Sequence, residues 1–555
     1  MAIVKDNAVI LSQGYGYANL EAQTPMCADT TLVRIASITK LFTWTAVMQL
    51  VERGRLDLHT DIQTYLDFDI PQTYPEPIRV WHLLSHTAGF ADNGIRTGAL
   101  ELPPGVTLRK TLIERHPPRI YPPGQIIAYS NYGAGLTGYI IERVSGMSWE
   151  TYIETHLLEP LAMKHTTPRE PLPPQLEQDL AASYTYRQGK YQPAPFLFNL
   201  TPPDGSISAT ATDMAQFMLA HLQNGATETA RILHADTARQ MHSQLFTHDP
   251  RLPGYAHGFV ETHRGRQRLL YHTGGWEAFA SLLLLIPEQQ LGLFVAFNGN
   301  HGDQALSPLL VDFVAHLFPE PEPAPLPKIK LRVTAYTGYY RPARAAVHTL
   351  EKLSWLKDAI RITATEQTLT FRNTRWQPIT PECFRDIKRE RYLCFQSIPA
   401  SHIRLASIGA YDYIRLAWYQ SLPFNLALLT GCTLAFISGG VLWLQAGSYG
   451  VAGMPFAQGV LLAALLSYLL TLATLGILLK FDVETFTYKL PFTYTILRHL
   501  IRSSLALTAI ALGCTVLIWL TQPWSIHWRS YYTLLTITGG LFSGWLLYWR
   551  LLVTE

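Results

Sequence analysis

Charge is scarce in this 555-residue chain, and so is cysteine. Only 15 % of the residues are Asp, Glu, Lys or Arg, against 48 % hydrophobic. That balance is too apolar for a wholly soluble protein, and the excess collects after residue 421. A formal net charge of +3 offers no field to hold a polyanion, so nucleic acid is set aside as a partner. The five cysteines are scattered. Cys432 and Cys514 sit in apolar segments, and Cys27, Cys383 and Cys394 show neither metal spacing nor a disulfide framework. A charged n-region and an apolar h-region are missing at the amino terminus, so no signal peptide is read there. The chain instead enters a hairpin pattern, Ala2 to Leu11 around Asp6-Asn7. We expect either a start upstream of Met1 or targeting by carboxy-terminal helices. A Gly-x-Ser-x-Gly elbow is also lacking, which disfavours an ordinary α/β-hydrolase. His82 and His86 have the i, i+4 spacing of a zinc helix, but Leu83 stands where a zinc protease carries glutamate. Neither a metal nor a cofactor is expected.

The length leaves room for two to four domains. Residues 1–318 begin with strands, pass through a helical middle and return to strands between Gly258 and Asn298, an order that argues α+β, an α/β sandwich. A helix is expected over Gly133–Val144, another from the Thr212 N-cap to Asn224-Gly225, and one over Val311–Phe318. Alternating prolines and acids from Pro319 to Pro327 read as a stiff, extended linker, 319–330. Residues 331–420 carry short β-like runs, such as Ile360–Ile362 and Tyr392–Phe395, and predict a small all-β domain, a barrel or a sandwich. Four apolar segments follow at about 422–444, 456–479, 503–521 and 531–552, each near the ~20 residues that span a bilayer. Trp418, Tyr419, Trp524, Trp528, Tyr531 and Tyr532 supply interfacial anchors. The partner these segments imply is the lipid bilayer, with the bacterial inner membrane as the expected location. Lys480, Lys489, Arg498 and Arg502 make the second loop the basic one, which taken literally puts the amino-terminal domain in the cytoplasm. Large domains translocate regardless of loop charge, and an extracytoplasmic catalytic domain is the expectation adopted.

The chemistry starts at Ser37-Ile38-Thr39-Lys40, opening an apolar run from Leu41 to Arg53 that stops at Gly54. A helix with so little polar face lies inside a domain. Ser37 and Lys40 are three apart, so their side chains share a face and can meet. A serine hydroxyl becomes a competent nucleophile when an adjacent base takes its proton, and a buried lysine can share that task. Tyr129-Ser130-Asn131 precedes a helix. A phenol beside a cation gives up its proton more easily, and the Asn131 amide both donates and accepts, which suits a substrate amide. In His272-Thr273-Gly274-Gly275, read as an edge-type strand, two glycines remove side chains so that a substrate backbone can lie alongside. A backbone N–H there can join that of Ser37 in an oxyanion hole.

The order Ser-Ile-Thr-Lys, Tyr-Ser-Asn, His-Thr-Gly-Gly resembles the class C β-lactamase and D-alanyl-D-alanine carboxypeptidase (serine peptidase) superfamily. His82-Leu83-Leu84-Ser85-His86-Thr87-Ala88-Gly89, Pro123-Gly124 and Pro160–Thr166 fit the same resemblance, which covers about residues 2–318. It implies an active site between a helical part and an antiparallel sheet, with Ser37 acylated and Lys40 and Tyr129 as its base pair. It further implies substrate binding by Asn131, His272, Thr273 and Gly274, and an oxyanion hole from the Ser37 and Gly275 N–H groups. His272 stands where many relatives have lysine, which turns the expectation from β-lactam hydrolysis toward peptidase or esterase activity. The arrangement of a serine-hydrolase domain followed by membrane helices also resembles membrane-anchored peptidases that remove N-acyl-D-amino-acid caps. The expected function is a membrane-bound serine hydrolase of a small-molecule or peptide-like amide or ester, with a compound containing a D-amino acid among the expected substrates; its rival is a non-catalytic penicillin-binding-like sensor or membrane scaffold.

Overall fold

A computed structural model describes residues 1–320, 323–327, 329–398, 403–444, 455–480, 483–521 and 524–552. Pro321, Glu322 and Lys328 of the expected linker lie outside the described residues. The chain divides into two compact units. One comprises Met1–Asp92, Thr97–Arg344 and Ile360–Arg415; the other comprises Asn93–Arg96, Ala345–Ala359 and Leu416–Glu555.

The first unit holds an antiparallel sheet, β1 (Ala2–Lys5), β2 (Ala8–Ser12), β3 (Gln244–Phe246), β4 (Tyr255–Ala256), β5 (Val260–Arg264), β6 (Gln267–Trp276), β7 (Phe279–Ile286) and β8 (Leu291–Phe297). Its order is β3-β4-β5-β6-β7-β8-β1-β2, so the amino-terminal hairpin closes onto the last strand. Asp6 and Asn7 both take positive φ (48° and 66°), which is why a two-residue Asp-Asn connection makes the tight turn of that hairpin. Every residue of β7 is buried, because the sheet is covered on both faces. Leu283 and Leu285 join the large core around helix α1 (Thr39–Glu52). Leu282, Leu284 and Ile286 turn the other way, toward Leu306 and Val314 of the helix Gly302–Leu317. This is the three-layer sandwich the sequence predicts, in the β-lactamase/transpeptidase-like form. α1 is buried at twelve of its fourteen positions, and several of its polar side chains find partners inside. Thr43 donates to Pro203 O, and Gln49 to His156 O and Ile232 O.

Three boundaries differ from expectation. The helix expected over Gly133–Val144 runs Asn131–Ser145, because the Ser130 hydroxyl caps it. The helix expected from Thr212 starts earlier, at Ala211, because Thr210 is extended and its hydroxyl caps the Asp213 N–H; Thr212 points instead to Ser12 and Asp29. The closing helix runs Gly302–Leu317 rather than from Val311.

The small β-domain is a closed eight-stranded barrel: β9 (Gly338–Pro342), β10 (Ile360–Thr365), β11 (Thr368–Phe371), β12 (Thr374–Pro378), β13 (Cys383–Asp386), β14 (Tyr392–Ile398), β15 (Ile403–Ile408) and β16 (Tyr411–Arg415). Closure comes from β9 pairing with β16. Eight strands leave an interior that side chains fill, and Tyr340, Leu369, Phe371, Trp376, Phe384 and Tyr413 fill it. Cys383 and Cys394 face each other across β13 and β14 and form a disulfide. The scattered-cysteine reading missed it, because the pairing depends on hairpin register rather than on a spacing pattern.

The second unit contains the helices Leu422–Leu444, Pro455–Leu478, Phe492–Thr521 and Ile526–Tyr548. Among the described residues three of them, not the expected four, are long and apolar enough to cross a membrane: Leu422–Leu442, Pro455–Leu478 and Phe492–Thr521. The fourth is helical over 23 residues, but His527, Arg529 and Ser530 open it and Thr533, Thr536, Thr538 and Ser543 follow. A hydroxyl seam joins the helices, with Ser467 on Ser504 at 2.8 Å and Thr508 on Ser543 at 3.3 Å. Such hydrogen bonds hold helices together where lipid supplies no hydrophobic driving force.

Candidate active site

Immediately before α1 the backbone is forced. Ala36 holds a φ of +48°, a region costly for any residue with a Cβ, and Ala36–Ile38 make one 3-10 turn. Ala36 and Ile38 are buried, leaving Ser37 partly exposed between them. One turn further on, Lys40 is fully buried. Its Nζ donates to Ser37 Oγ at 3.0 Å and to the Asp204 carbonyl at 2.7 Å.

Beneath Lys40 runs a buried polar chain. The Asp204 carboxylate accepts from Asn199 Nδ2 at 2.6 Å and from Thr201 Oγ1 at 2.7 Å. Burial raises its pKa, with Lys40 opposing. The Asn199 N–H donates to Glu170 at 2.6 Å, and Glu170 pairs with the fully buried Arg34. Burial lifts the Glu170 carboxyl to about 7 against the pull of Arg34. Arg34 lies between the rings of Phe196 (4.5 Å) and Trp276 (5.5 Å). Asp204, Asn199, Glu170 and Arg34 were not singled out from the sequence, since residues so far apart in the chain share no local pattern.

Tyr129 is fixed by His86, a residue to which the sequence assigned no part in the chemistry. The His86 carbonyl accepts the Ala128 N–H (2.9 Å), its Nδ1 accepts the Ser130 N–H (3.2 Å), and its ring lies 4.2 Å from that of Tyr129. His86 thus grips both neighbours of Tyr129 and backs its ring. Just beyond, Gly89 lets the Tyr121 segment pack closely: a Cβ there would sit 2.0 Å from Tyr121 O, and φ is +84°. The Tyr129 ring is flanked by Lys40 Nζ at 5.0 Å and by the Arg344 guanidinium at 4.9 Å. Asn131 opens the next helix, Asn131–Ser145, which the Ser130 hydroxyl caps.

β6 is an interior strand, yet its second half behaves as an edge. Its pairing with β5 ends at Tyr271, whereas its pairing with β7 continues to Trp276. Residues 272–276 therefore have no strand partner on the β5 side among the described residues. His272 is buried; its Nδ1 donates to Thr273 O at 2.7 Å, and burial, then Lys40, lowers its pKa to about 3. Its Nε2 is buried with no hydrogen-bond partner among the described residues, as is Asn131 Oδ1. The two glycines differ. A Cβ on Gly274 would meet Ile35 O at 2.1 Å and Ser281 Oγ at 2.3 Å, while one on Gly275 would meet nothing within 4 Å. Gly274 thus lets β6 press against the Ser37 turn, where Ser281 Oγ donates to Ile35 O, and is not among the residues lining the cavity. Gly275 borders open space.

Ser37, Tyr129, Asn131, His272, Thr273 and Gly275 line one cavity of about 360 Å³, completed by Tyr255 and Tyr271 and by Arg344, Tyr411 and Asp412 of the barrel region. The barrel is fastened here. Asp412 accepts from Ile127 N (2.7 Å), His248 Nε2 (2.6 Å) and Ser407 Oγ (2.7 Å), and the Tyr121 hydroxyl donates to Ala343 O.

The Beta-lactamase family model matches residues 1–315, more than half of the chain. The chain belongs to the Beta-lactamase family. Within the family's curated members it is 28 % identical over 307 residues to Protein flp of Staphylococcus aureus (strain MW2), covering 54 % of this chain and 59 % of that protein. It is 30 % identical over 245 residues to Penicillin-binding protein 4 of Amycolatopsis lactamdurans, covering 40 % of this chain and 61 % of that one. The matches thus span under two thirds of each relative's length. Two solved structures share the fold: the octameric penicillin-binding protein homologue from Pyrococcus abyssi (TM-score 0.50, 22 % identity, 75 % of this chain and 95 % of that) and SurE (TM-score 0.53, 22 % identity, 75 % and 94 %).

Proposed function

We propose that this Beta-lactamase-family protein is a membrane-bound serine hydrolase that acts on a small amide or ester of peptide-like character through an acyl-enzyme at Ser37. The observation that carries the reading is the 3.0 Å contact between Lys40 Nζ and Ser37 Oγ, in a cavity that Tyr129, Asn131 and His272 also line. In the reaction, Ser37 Oγ bonds to the substrate carbonyl carbon as its proton passes to the Lys40/Tyr129 pair. The carbonyl oxygen, now negative, is held by the Ser37 and Gly275 N–H groups. The C–N or C–O bond then breaks, the leaving atom takes the proton from that pair, and water repeats the sequence to free the acid. Asn131 Oδ1 offers an acceptor to a substrate N–H.

The Cys383–Cys394 disulfide supports placing the first unit outside the cytoplasm, since such bonds persist in oxidising compartments. The test is turnover of a D-alanyl ester and of a D-alanyl dipeptide by the full chain in detergent. Hydrolysis lost in Ser37→Ala supports the reading; no turnover of any acyl compound, or turnover that survives Ser37→Ala, refutes it in favour of a non-catalytic scaffold.

A further inference from the structure

The charges around the cavity are unevenly committed. Lys40 is held by Ser37 and Asp204. The Asp412 carboxylate is buried and takes three hydrogen bonds from Ile127, His248 and Ser407. His272 donates its Nδ1 proton to Thr273 O, and the neutral ring leaves its buried Nε2 with a lone pair and no N–H. A lone pair repels an anion, and the β6 strand therefore offers no cationic side chain to the cavity.

Arg344 is different. It follows β9 in the chain and lines the cavity beside Tyr129. Asp92 fixes it through Nε at 2.8 Å and Nη2 at 3.5 Å, yet 45 % of its side chain stays exposed. Its Nη1 makes no hydrogen bond among the described residues. A guanidinium pinned on one edge and open on the other is preorganised to bind a planar anion. Tyr411, half-exposed, and Tyr271, whose hydroxyls lie 3.5 Å apart, line the same cavity of about 360 Å³. That is near the small end of ligand pockets, ~300–1,000 Å³.

We infer that Arg344, delivered by the barrel region and braced by Asp92, is the carboxylate receptor of this site and restricts it to small acyl compounds that carry a carboxylate near the scissile bond. This rests on the hydrolase reading above. It assigns the barrel a task in substrate selection, consistent with an interior that side chains fill and with its attachment to the Tyr129 segment through Asp412.

Two pairs of probes test it on the full chain in detergent. The first is a D-alanyl thioester whose leaving thiol ends in a carboxylate, beside its primary-amide twin. The second is a succinyl ester beside its succinamoyl twin, with the charge on the acyl side. In the wild type the carboxylate member of one pair is favoured in kcat/KM by about ten- to a hundredfold, the range of a charge-assisted hydrogen bond. Arg344→Gln collapses that ratio toward one, and Arg344→Lys restores part of it. Fluorophosphonate labelling of Ser37 certifies that each variant is folded. No preference within either pair, or an equal loss on both twins in Arg344→Gln, overturns the inference while leaving the hydrolase reading standing. Absence of any Ser37-dependent turnover overturns both.

Discussion

Replacing Gly274 by alanine separates packing from chemistry at this site. The added methyl would lie 2.1 Å from Ile35 O and 2.3 Å from Ser281 Oγ. Neither is the yielding end of a long side chain: one is the backbone immediately before the Ser37 turn, the other a short hydroxyl bonded to that same carbonyl. Because Cβ contacts under 3.0 Å are not tolerated, β6 must withdraw from the turn by about 1 Å. Overpacking of this kind costs ~1–3 kcal/mol, and loss of the Ser281–Ile35 bond adds ~1 kcal/mol, about 2–4 kcal/mol together. A misplacement of that size also separates the Ser37 and Gly275 N–H groups, for which a rate loss of roughly 10²-fold is expected. Gly275→Ala is the control. Its methyl meets nothing within 4 Å, so stability should hold within ~0.5 kcal/mol. Denaturant midpoints and second-order rates of fluorophosphonate labelling measure both effects on the detergent-solubilised chain. A Gly274→Ala protein as stable and as fast as wild type would refute the close packing of β6 on the nucleophile turn.

Three further outcomes are expected. Burial holds the pKa values of His82 and His272 at about 3 and of His242 and His257 at about 4, against ~6.5 in the unfolded chain. Their contribution to stability is therefore present above pH 6.5 and lost as pH falls toward 4, by up to ~1.4 kcal/mol per pH unit for each histidine; a denaturant midpoint unchanged between pH 7 and 5 contradicts this. Asp412→Ala strips three donors of their shared acceptor at the segment before Tyr129; a stability loss of ~3–5 kcal/mol and slower Ser37 labelling should follow, and an unchanged labelling rate would detach the barrel from the site. Reducing the Cys383–Cys394 bond, which closes a short loop of sequence separation 11, should cost ~2–3 kcal/mol, read as a drop in the denaturant midpoint with dithiothreitol that is absent in the Cys383→Ser/Cys394→Ser chain.

Local pattern made much of this legible. The i, i+3 spacing of Ser37 and Lys40 and the apolar ring of α1 follow from helix geometry alone, and the Asp6-Asn7 turn from its residue types. Ser37, the Tyr129/Asn131 pair and His272 came from three separated segments that the fold gathers around one cavity. Gly274 was assigned to substrate, but two adjacent glycines in a strand point opposite ways, and only the packing tells which faces the cavity. The fourth membrane segment was over-read because Thr533, Thr536, Thr538, Ser543 and the glycines Gly539, Gly540 and Gly544 dilute its apolar residues. What stayed hidden is non-local. The Asp204–Asn199–Glu170–Arg34 chain joins residues as far apart in sequence as Arg34 and Asp204, and Arg344 and Asp412 reach the cavity only because the barrel docks there. His86 came closest to being found, as it lies in the quoted Ser85–Gly89 stretch. Its clamp on Ala128 and Ser130 depends on a contact that spacing does not encode.

The central claim is a live nucleophile at Ser37, and intact-mass analysis of the full chain after fluorophosphonate treatment tests it most directly. The account predicts one adduct per chain that maps to Ser37 and is absent in Ser37→Ala, with labelling slowed by about 10²–10⁴-fold in Lys40→Ala and Tyr129→Phe. No adduct on the folded protein, an adduct that persists in Ser37→Ala, or losses under tenfold in both base variants would contradict it.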